Sequence, residues 1–529
     1  MAANNIEDWG QISRVTDHIA DILRNYSDGT SILYELIQNA DDAGATVVRF
    51  CLDHRSYPNE GPLLSQNMNA SMGPALYEYN DALFTSQDFK NLQLIASMGK
   101  VKDPTKTGKF GVGFNSVYHL TDVPSFVSGE HVTFSDPHCS YVYPPKPGFR
   151  IPLSLARQHP NQFKAYDLFG DFFTGSEKGK PFYHGTLFRF PLRTPAQAMK
   201  SEMKKEPATI ATVNDLLTHF KQSPANALLF LRSVERIEWY ENGATADKTT
   251  TTQAERPRLR FVVCFSDRCL QSGGVRAVRT RFLDRLRDLN TRPADREEMF
   301  LAKAEITTTD IDVTGADVSM ASSDWLILQQ IGGGQASAMA RKTPHLLRPI
   351  GGVAICKDKP IVGRAFCTLQ LPISTGLSFH VNGFFDMPSN RRQINVESHE
   401  ESREVAGAAW NKALAADVIA PALLSLFKML RGDEVPTPDT ARAFYKLWPT
   451  ARNIDSSYFR FLVGEFYRKA WNEPLFFTRN SGDGKAGWIP GTQSCFYGKK
   501  ASVNAGSEEE RKKMMELVEK CIDMWGLKM

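Results

Sequence analysis

Residues 35–43 read E-L-I-Q-N-A-D-D-A, and this stretch decides the fold. Ile32, Leu33, Leu36, Ile37 and Ala40 recur at three- and four-residue spacing, which predicts an amphipathic helix. Glu35, Asn39 and Asp42 are spaced by four and three, so they share one helix face, a turn apart. An acid, an amide and a second acid aimed at one place can hold a metal ion and prepare a water for attack. A solvated polar face fits the same three residues, and their surroundings must decide between the two.

Upstream, Ile12, Val15, Ile19, Ile22 and Leu23 make a helical stripe that Asp28-Gly29 breaks, and Thr30 or Ser31 can cap the next helix. Gly44 stands where a helix C-cap wants glycine. Residues 46–53 alternate as a half-buried strand, 58–74 read as a polar loop, and 75–80 read as a short strand ending on Asp81. Thr85 can cap a helix running to about Ala96, with Asp88 three residues on. Residues 99–113, G-K-V-K-D-P-T-K-T-G-K-F-G-V-G, are rich in glycine and lysine and can fold over a ligand. Gly108, Gly111 and Gly113 precede a predicted helix at 114–120. Glycines there let backbone N–H groups approach a phosphate. The Walker pattern G-x-x-x-x-G-K-[ST] is absent, and no strand directly precedes the glycines as a dinucleotide fingerprint requires.

Further on, 131–135 and 185–193 read as strands, and a helix over 210–222 follows a boundary placed at 194–207. Strands are predicted at 229–241, 259–266, 300–307, 325–329, 352–356, 364–371 and 377–381, with loops at 242–256 and 332–340. From Ser402 the pattern turns helical, over 405–430, 441–448, 458–471 and 508–525.

The 529 residues are 42% hydrophobic and 23% charged, which excludes a disordered chain and allows several domains. A net charge of +4 is no footprint of nucleic-acid binding. The eight cysteines form no C-x-x-C pair, zinc spacing or disulfide framework, which fits a reducing compartment. The polar N-terminus shows no signal peptide, and no apolar run is expected to reach the length of a membrane span. His18, His119 and His380 are isolated and read as structural. No Ser-His-Asp set is suggested. The phenylalanines at 169–173 and 379–385 read as core, with a client-binding patch as the other possibility.

Four pieces line up in chain order: the Glu35 stretch, Asp81 at a strand end, G-K-F-G-V-G-F from Gly108, and Gly185-Thr186. The ordered set resembles the GHKL ATPase family of ninety-kilodalton heat-shock chaperones, type II topoisomerases, mismatch-repair MutL proteins and histidine kinases. Within it, E-L-I-Q-N-A-D-D-A-G-A-T, T-G-K-F-G-V-G-F-N-S-V-Y-H-L-T-D-V-P and H-G-T-L-F-R-F-P-L-R are similar to the sacsin repeat family. So are G-R-A-F-C-T-L-Q-L-P and F-H-V-N-G-F-F-D-M-P-S-N-R-R, giving a resemblance over about 11–395.

That resemblance implies an α+β chain. A GHKL (Bergerat) α/β sandwich over 1–200 binds ATP, a mixed α/β middle-like region covers 201–400, and a mostly helical part covers 401–529. It implies ATP and Mg²⁺ as cofactors, with Glu35 as general base and Asn39 as the magnesium ligand. Asp81 and Thr186 would read adenine. Gly108, Gly111, Gly113 and Phe114 would line the phosphates beside Lys109, with Asp42 nearby and Lys100 in a lid. Arg391 or Arg392 would face the γ-phosphate; a solvent-facing Arg-Arg turn fits the same pair.

The family's D-x-G-x-G is here D-A-L-F-T, without its two glycines, and the H-P-D motif of a J domain is absent, so the chain reads as a fragment or a small relative. The implied role is a cytoplasmic, slowly hydrolysing chaperone-type ATPase in protein quality control. Its implied partners are unfolded clients and seventy-kilodalton heat-shock chaperones, with self-association possible. A scaffold that keeps the fold without turnover is the alternative. A DNA-acting GHKL enzyme fits the weak basic balance poorly, and a histidine kinase lacks its phosphoacceptor helix.

Overall fold

The computed structural model describes residues 14–25, 31–57, 64–92, 113–140, 146–243, 256–271, 273–289, 296–312, 314–342, 347–388, 393–394, 402–450, 454–478 and 486–493. Its strands, in chain order, are β1 (Val47–Asp53), β2 (Ala75–Asn80), β3 (Ser125–Gly129), β4 (His131–Ser135), β5 (Gly148–Pro152), β6 (Ser176–Glu177), β7 (Lys180–Pro181), β8 (Tyr183–Pro191), β9 (Arg236–Asn242), β10 (Arg258–Phe265), β11 (Glu298–Ile311), β12 (Asp317–Ile331), β13 (Ile350–Cys356), β14 (Arg364–Cys367), β15 (Leu369–Ser374), β16 (His380–Gly383), β17 (Phe476–Thr478) and β18 (Gly487–Ile489). Among the described residues, fourteen strands form one mixed sheet in the order β15-β14-β16-β13-β12-β11-β10-β9-β1-β2-β8-β3-β4-β5.

Helices α1 (Val15–Asn25) and α2 (Ser31–Asp42) cover one face of the sheet's first part. Ile19, Leu33, Leu36 and Ile37 pack there with Leu76, Phe188 and Phe190. Burial of each of these aliphatic side chains contributes about 1.5–3 kcal/mol. Tyr77, Val127 and Leu187 point to the opposite face and pack with Phe163 and Phe172. At the other end of the sheet, Val353, Ile355 and Val381 pack against the helices Ser402–Leu414, Ala420–Arg431 and Ser457–Ala470.

The expected boundary at residue 200 does not interrupt the sheet. β9 lies beyond it, yet pairs in parallel with β1 from Val47↔Arg236 to Asp53↔Asn242. The tie that brings β9 there is Asp41, on the last turn of α2. Its Oδ1 accepts from the backbone N–H groups of Arg232 (3.0 Å), Ser233 (2.7 Å) and Val234 (3.0 Å). The buried Arg279 guanidinium grips the same segment by donating to the carbonyls of Val234 (2.9 Å) and Leu228. α2 itself stops at Gly44, whose φ of +83° suits glycine. Gly44 N–H returns to Asp41 O and Ala45 N–H to Ala40 O, which satisfies the last carbonyls.

Several expectations change. The strand predicted over 229–241 begins only at Arg236, because the apolar run Leu228–Leu231 is core between the Asp41 and Arg279 anchors. Residues 332–340, expected as a loop, enter the helix Gly334–Lys342; the Asp417 carboxylate accepts from Gln335 N–H (2.7 Å) at its first turn. The run at 364–371 splits into β14 and β15 at Thr368, whose φ is +67°. The helix Val275–Asp288 and strands β3 and β5 were not expected at all. One apolar run does reach membrane-span length. The helical stretch Ala406–Arg431 continues through a π-helical turn, and 67% of its most apolar window is buried inside the protein, as a core helix requires. The helix expected at 508–525 lies outside the described residues.

Replacing Asp41 by alanine leaves three backbone donors in a buried segment without their acceptor. We expect a loss of roughly 3 kcal/mol of stability, since each unmet buried group costs about 1–3 kcal/mol and water recovers part of it. Urea unfolding measures this; an Asp41→Ala protein as stable as wild type would refute the clamp.

Candidate functional site

α2 turns Glu35 inward, where it is 7% exposed. The backbone of Gly113 lies directly against it: a Cβ at position 113 would overlap Glu35 Oε2. With glycine at 113 the chain passes close to the carboxylate without displacing it; a larger residue would make the end of the Glu35 side chain shift. It opens a 3-10 helix, Gly113–His119, where the sequence predicted a helix at 114–120. The neighbouring Phe114 ring lies 5.7 Å from Phe188 on β8, which carries the site onto the sheet. Asn39 sits one turn beyond Glu35 and is half-buried. Asp42 is drawn to Arg232, with Oδ1 3.8 Å from Nη1. Of the acids in the motif, then, Glu35 faces the glycine end while Asp41 and Asp42 serve the segment at 232–234. Lys100, Gly108, Lys109, Gly111, Arg391 and Arg392 lie outside the described residues.

At the far end of the site, β2 and β8 pair with Asn80 opposite Thr186 and Glu78 opposite Phe188. Side chains directly opposite in an antiparallel pair share a face. Here that is the face covered by α2, since Phe188 and Phe190 belong to the α2 core. Thr186 Oγ1 donates to Ala82 O at 2.8 Å and lies 2.9 Å from Ser128 Oγ. Ser128 Oγ also accepts from Phe84 N–H at 3.0 Å.

Asp81 behaves otherwise. Its Oδ1 accepts from the N–H groups of Thr46 (2.7 Å) and Val47 (3.1 Å), and its Oδ2 accepts from the Thr46 hydroxyl. The carboxylate thus pins the entry to β1 and is exposed, one residue out of phase with the face that carries Thr186. The group in phase is Asn80. Its Oδ1 accepts from Ala82 N–H (3.2 Å) and its Nδ2 donates to Glu78 Oε1 (3.1 Å).

Sequence reasoning passed over Asn80, Glu78 and Asp41. The strand alternation held the clue for the first two. In A-L-Y-E-Y-N, Leu76, Glu78 and Asn80 fall on one face, the α2 side, while Ala75 and Tyr77 fall on the other, against the second core. Among the described residues no group of three or more His, Cys, Asp or Glu stands ready to hold a metal. A magnesium ion held by one amide oxygen and completed by phosphate oxygens and water needs no such group. His380 is structural, as expected. It stacks on Trp325 at 5.6 Å and lies 3.0 Å from Asn226, and burial pushes its pKa down to about 3.

Glu78 is 1% exposed, and burial pushes its pKa up from 4.5 to about 8 against the pull of the Asn80 hydrogen bond. Between those values the folded chain holds a proton that the unfolded chain has lost. This group's contribution to stability therefore falls as pH rises from about 4.5 to about 8. Glu78→Gln should flatten the fall in melting temperature across that window; a variant with the wild-type slope would show that Glu78 is not its source.

Comparisons with known proteins agree with the segments that organise the site. A family profile described as "Sacsin domain" matches residues 13–254. Human sacsin (Homo sapiens) is 31% identical over 504 residues, covering 86% of this chain. The chain spans only 10% of that protein's length. A crystal structure of the N-terminal domain of a DNA repair protein overlays 75% of this chain and 96% of its own at 8% identity, with a TM-score of 0.26, which establishes no common architecture. Glu35, Gly113 and Thr186 all fall within the matched span, and residues 13–254 belong to the sacsin domain family.

Proposed function

We propose that this chain is a sacsin-type, Mg·ATP-dependent ATPase module with the GHKL (Bergerat) fold, working as a chaperone in protein quality control. The observation that carries this reading is the buried Glu35 carboxylate lying directly against the Gly113 backbone, at the end of a glycine- and lysine-rich stretch. A carboxylate fixed by packing on a rigid helix, next to backbone that can approach phosphate oxygens, is the arrangement a water-activating general base needs.

In this reading Glu35 orients and deprotonates the attacking water. The Asn39 amide oxygen, one turn away, is a hard ligand suited to Mg²⁺. Backbone N–H groups at Gly108, Gly111 and Gly113 approach the phosphates with Lys109, and Phe114 packs beneath them. Lys100 belongs to a lid whose closure, with the placement of Arg391 or Arg392, limits the rate, so turnover is slow. Bound Mg²⁺ supplies charge neutralisation at the phosphates. Family membership also supports unfolded clients, seventy-kilodalton heat-shock partners, self-association and a cytoplasmic setting. A second reading, a scaffold that keeps the fold without turnover, draws on Asp81: the expected base-facing carboxylate is spent on Thr46 and Val47.

Turnover by purified protein separates the two. Glu35→Ala should keep Mg·ATP binding and lose turnover by about 10²–10⁴-fold. Unchanged turnover would remove Glu35 from the chemistry. Binding should also raise thermal stability, by about 2.7 kcal/mol at a hundredfold excess of nucleotide over Kd. Wild-type protein that Mg·ATP neither stabilises nor loses to hydrolysis would select the scaffold reading. Gly113→Ala pushes a methyl group into the Glu35 carboxylate and should reduce turnover in step with Glu35→Ala. Normal turnover in that variant would show that the close packing is dispensable.

A further inference from the structure

We infer that Asn80, backed by Glu78, is the base-selecting residue of the nucleotide site, and that it leaves the site nearly indifferent between 6-amino and 6-oxo purine triphosphates. This rests on the nucleotide reading above.

The argument begins with phase. Asn80 and Thr186 face each other across β2 and β8, on the side covered by α2. Phe114, next to the Gly113–Glu35 contact, packs on Phe188, two residues along β8 from Thr186. A ligand whose phosphates lie at Gly113 therefore extends its base along this face toward Thr186 and Asn80. The rings of Phe84, Phe126 and Phe188, with centroids 4.6–5.9 Å apart, give that end an apolar wall. Asp81, a residue out of phase, is held by Thr46 and Val47.

The chemistry at this position differs from a carboxylate's. A carboxylate only accepts. It takes a hydrogen bond from the exocyclic amine of adenine and opposes the carbonyl oxygen at the same place in guanine. An amide has both functions. The Ala82 N–H needs an acceptor, which fixes Oδ1 on that side, and Nδ2 turns toward Glu78. Nδ2 also lies 3.5 Å from Glu78 Oε2, beyond ordinary hydrogen-bond length, so one lone pair on Oδ1 and one N–H on Nδ2 remain for a ligand. The 6-amino group can use the first and the 6-oxo group the second, and neither meets a repelling partner. Glu78, buried behind the amide, keeps Asn80 from rotating to favour one base.

The test measures dissociation constants for Mg·ATP and Mg·GTP by calorimetry, on wild type, Asn80→Asp and Asp81→Asn. Wild type should bind the two within about threefold, because no buried group is left unpaired by either base. Asn80→Asp restores an acceptor-only group and should shift the ratio toward ATP by about tenfold or more. Asp81→Asn should leave the ratio where it was. Wild type that binds ATP but rejects GTP overturns the inference and leaves the nucleotide site standing, as does an Asp81→Asn change in the ratio. Wild type that binds neither nucleotide overturns both. If Asn80→Asp does not fold, the wild-type ratio and the Asp81→Asn ratio still decide.

Discussion

One carboxylate holds this architecture in register. Asp41 gathers the N–H groups of three consecutive residues, Arg232, Ser233 and Val234, at the point where the chain turns into β9. A parallel pair cannot be closed by a hairpin, so β9 reaches β1 only after the chain has crossed back over the sheet. The crossing segment carries buried backbone donors that no strand partner can meet. Asp41 meets them, and Arg279 takes the carbonyls of Val234 and Leu228 from the other side. A buried acid and a buried cation thus work through one stretch of backbone. The sheet then continues without a break from the N-terminal strands to β15.

The same helix carries the clamp and the candidate base, and helical spacing keeps them apart. Glu35 points to Gly113, while Asp41 and Asp42, nearly two turns on, point to residues 232–234 and to Arg232. A helix rigidly tied at its C-terminal end holds its first turns in a fixed place over the sheet. That rigidity is what a positioned general base requires, because catalytic geometry tolerates little displacement. Fold and proposed chemistry are therefore coupled through α2.

Much of this was legible in the residues. The spacing of Ile32, Leu33, Leu36 and Ile37 gave α2, Gly44 its end, and the strand at 75–80 its limits, because each signal is local. The four ordered motifs pointed to the family through which Glu35, Gly113 and Thr186 were found. What stayed hidden depends on partners far along the chain. Asp41 and Asp42 stand side by side in D-D, and nothing local says that one will bind backbone nearly two hundred residues away. Asp81 looked like the base reader because it is the acid at the strand end. Which of two adjacent residues shares the α2 face follows from strand phase, and there Asn80 lies opposite Thr186 while Asp81 turns to Thr46 and Val47. The run at 228–231 looked like strand because burial, which it has, and strand pairing leave the same apolar mark in sequence.

The central claim is that nucleotide binds beside α2 and the segment that starts at Gly113. Amide hydrogen exchange with and without Mg·ATP reads that region directly, residue by residue. The account predicts slower exchange across Ser31–Asp42 and Gly113–His119 when nucleotide is present, with the strands β13 and β16 unchanged. Identical exchange in those two segments at saturating Mg·ATP would contradict it.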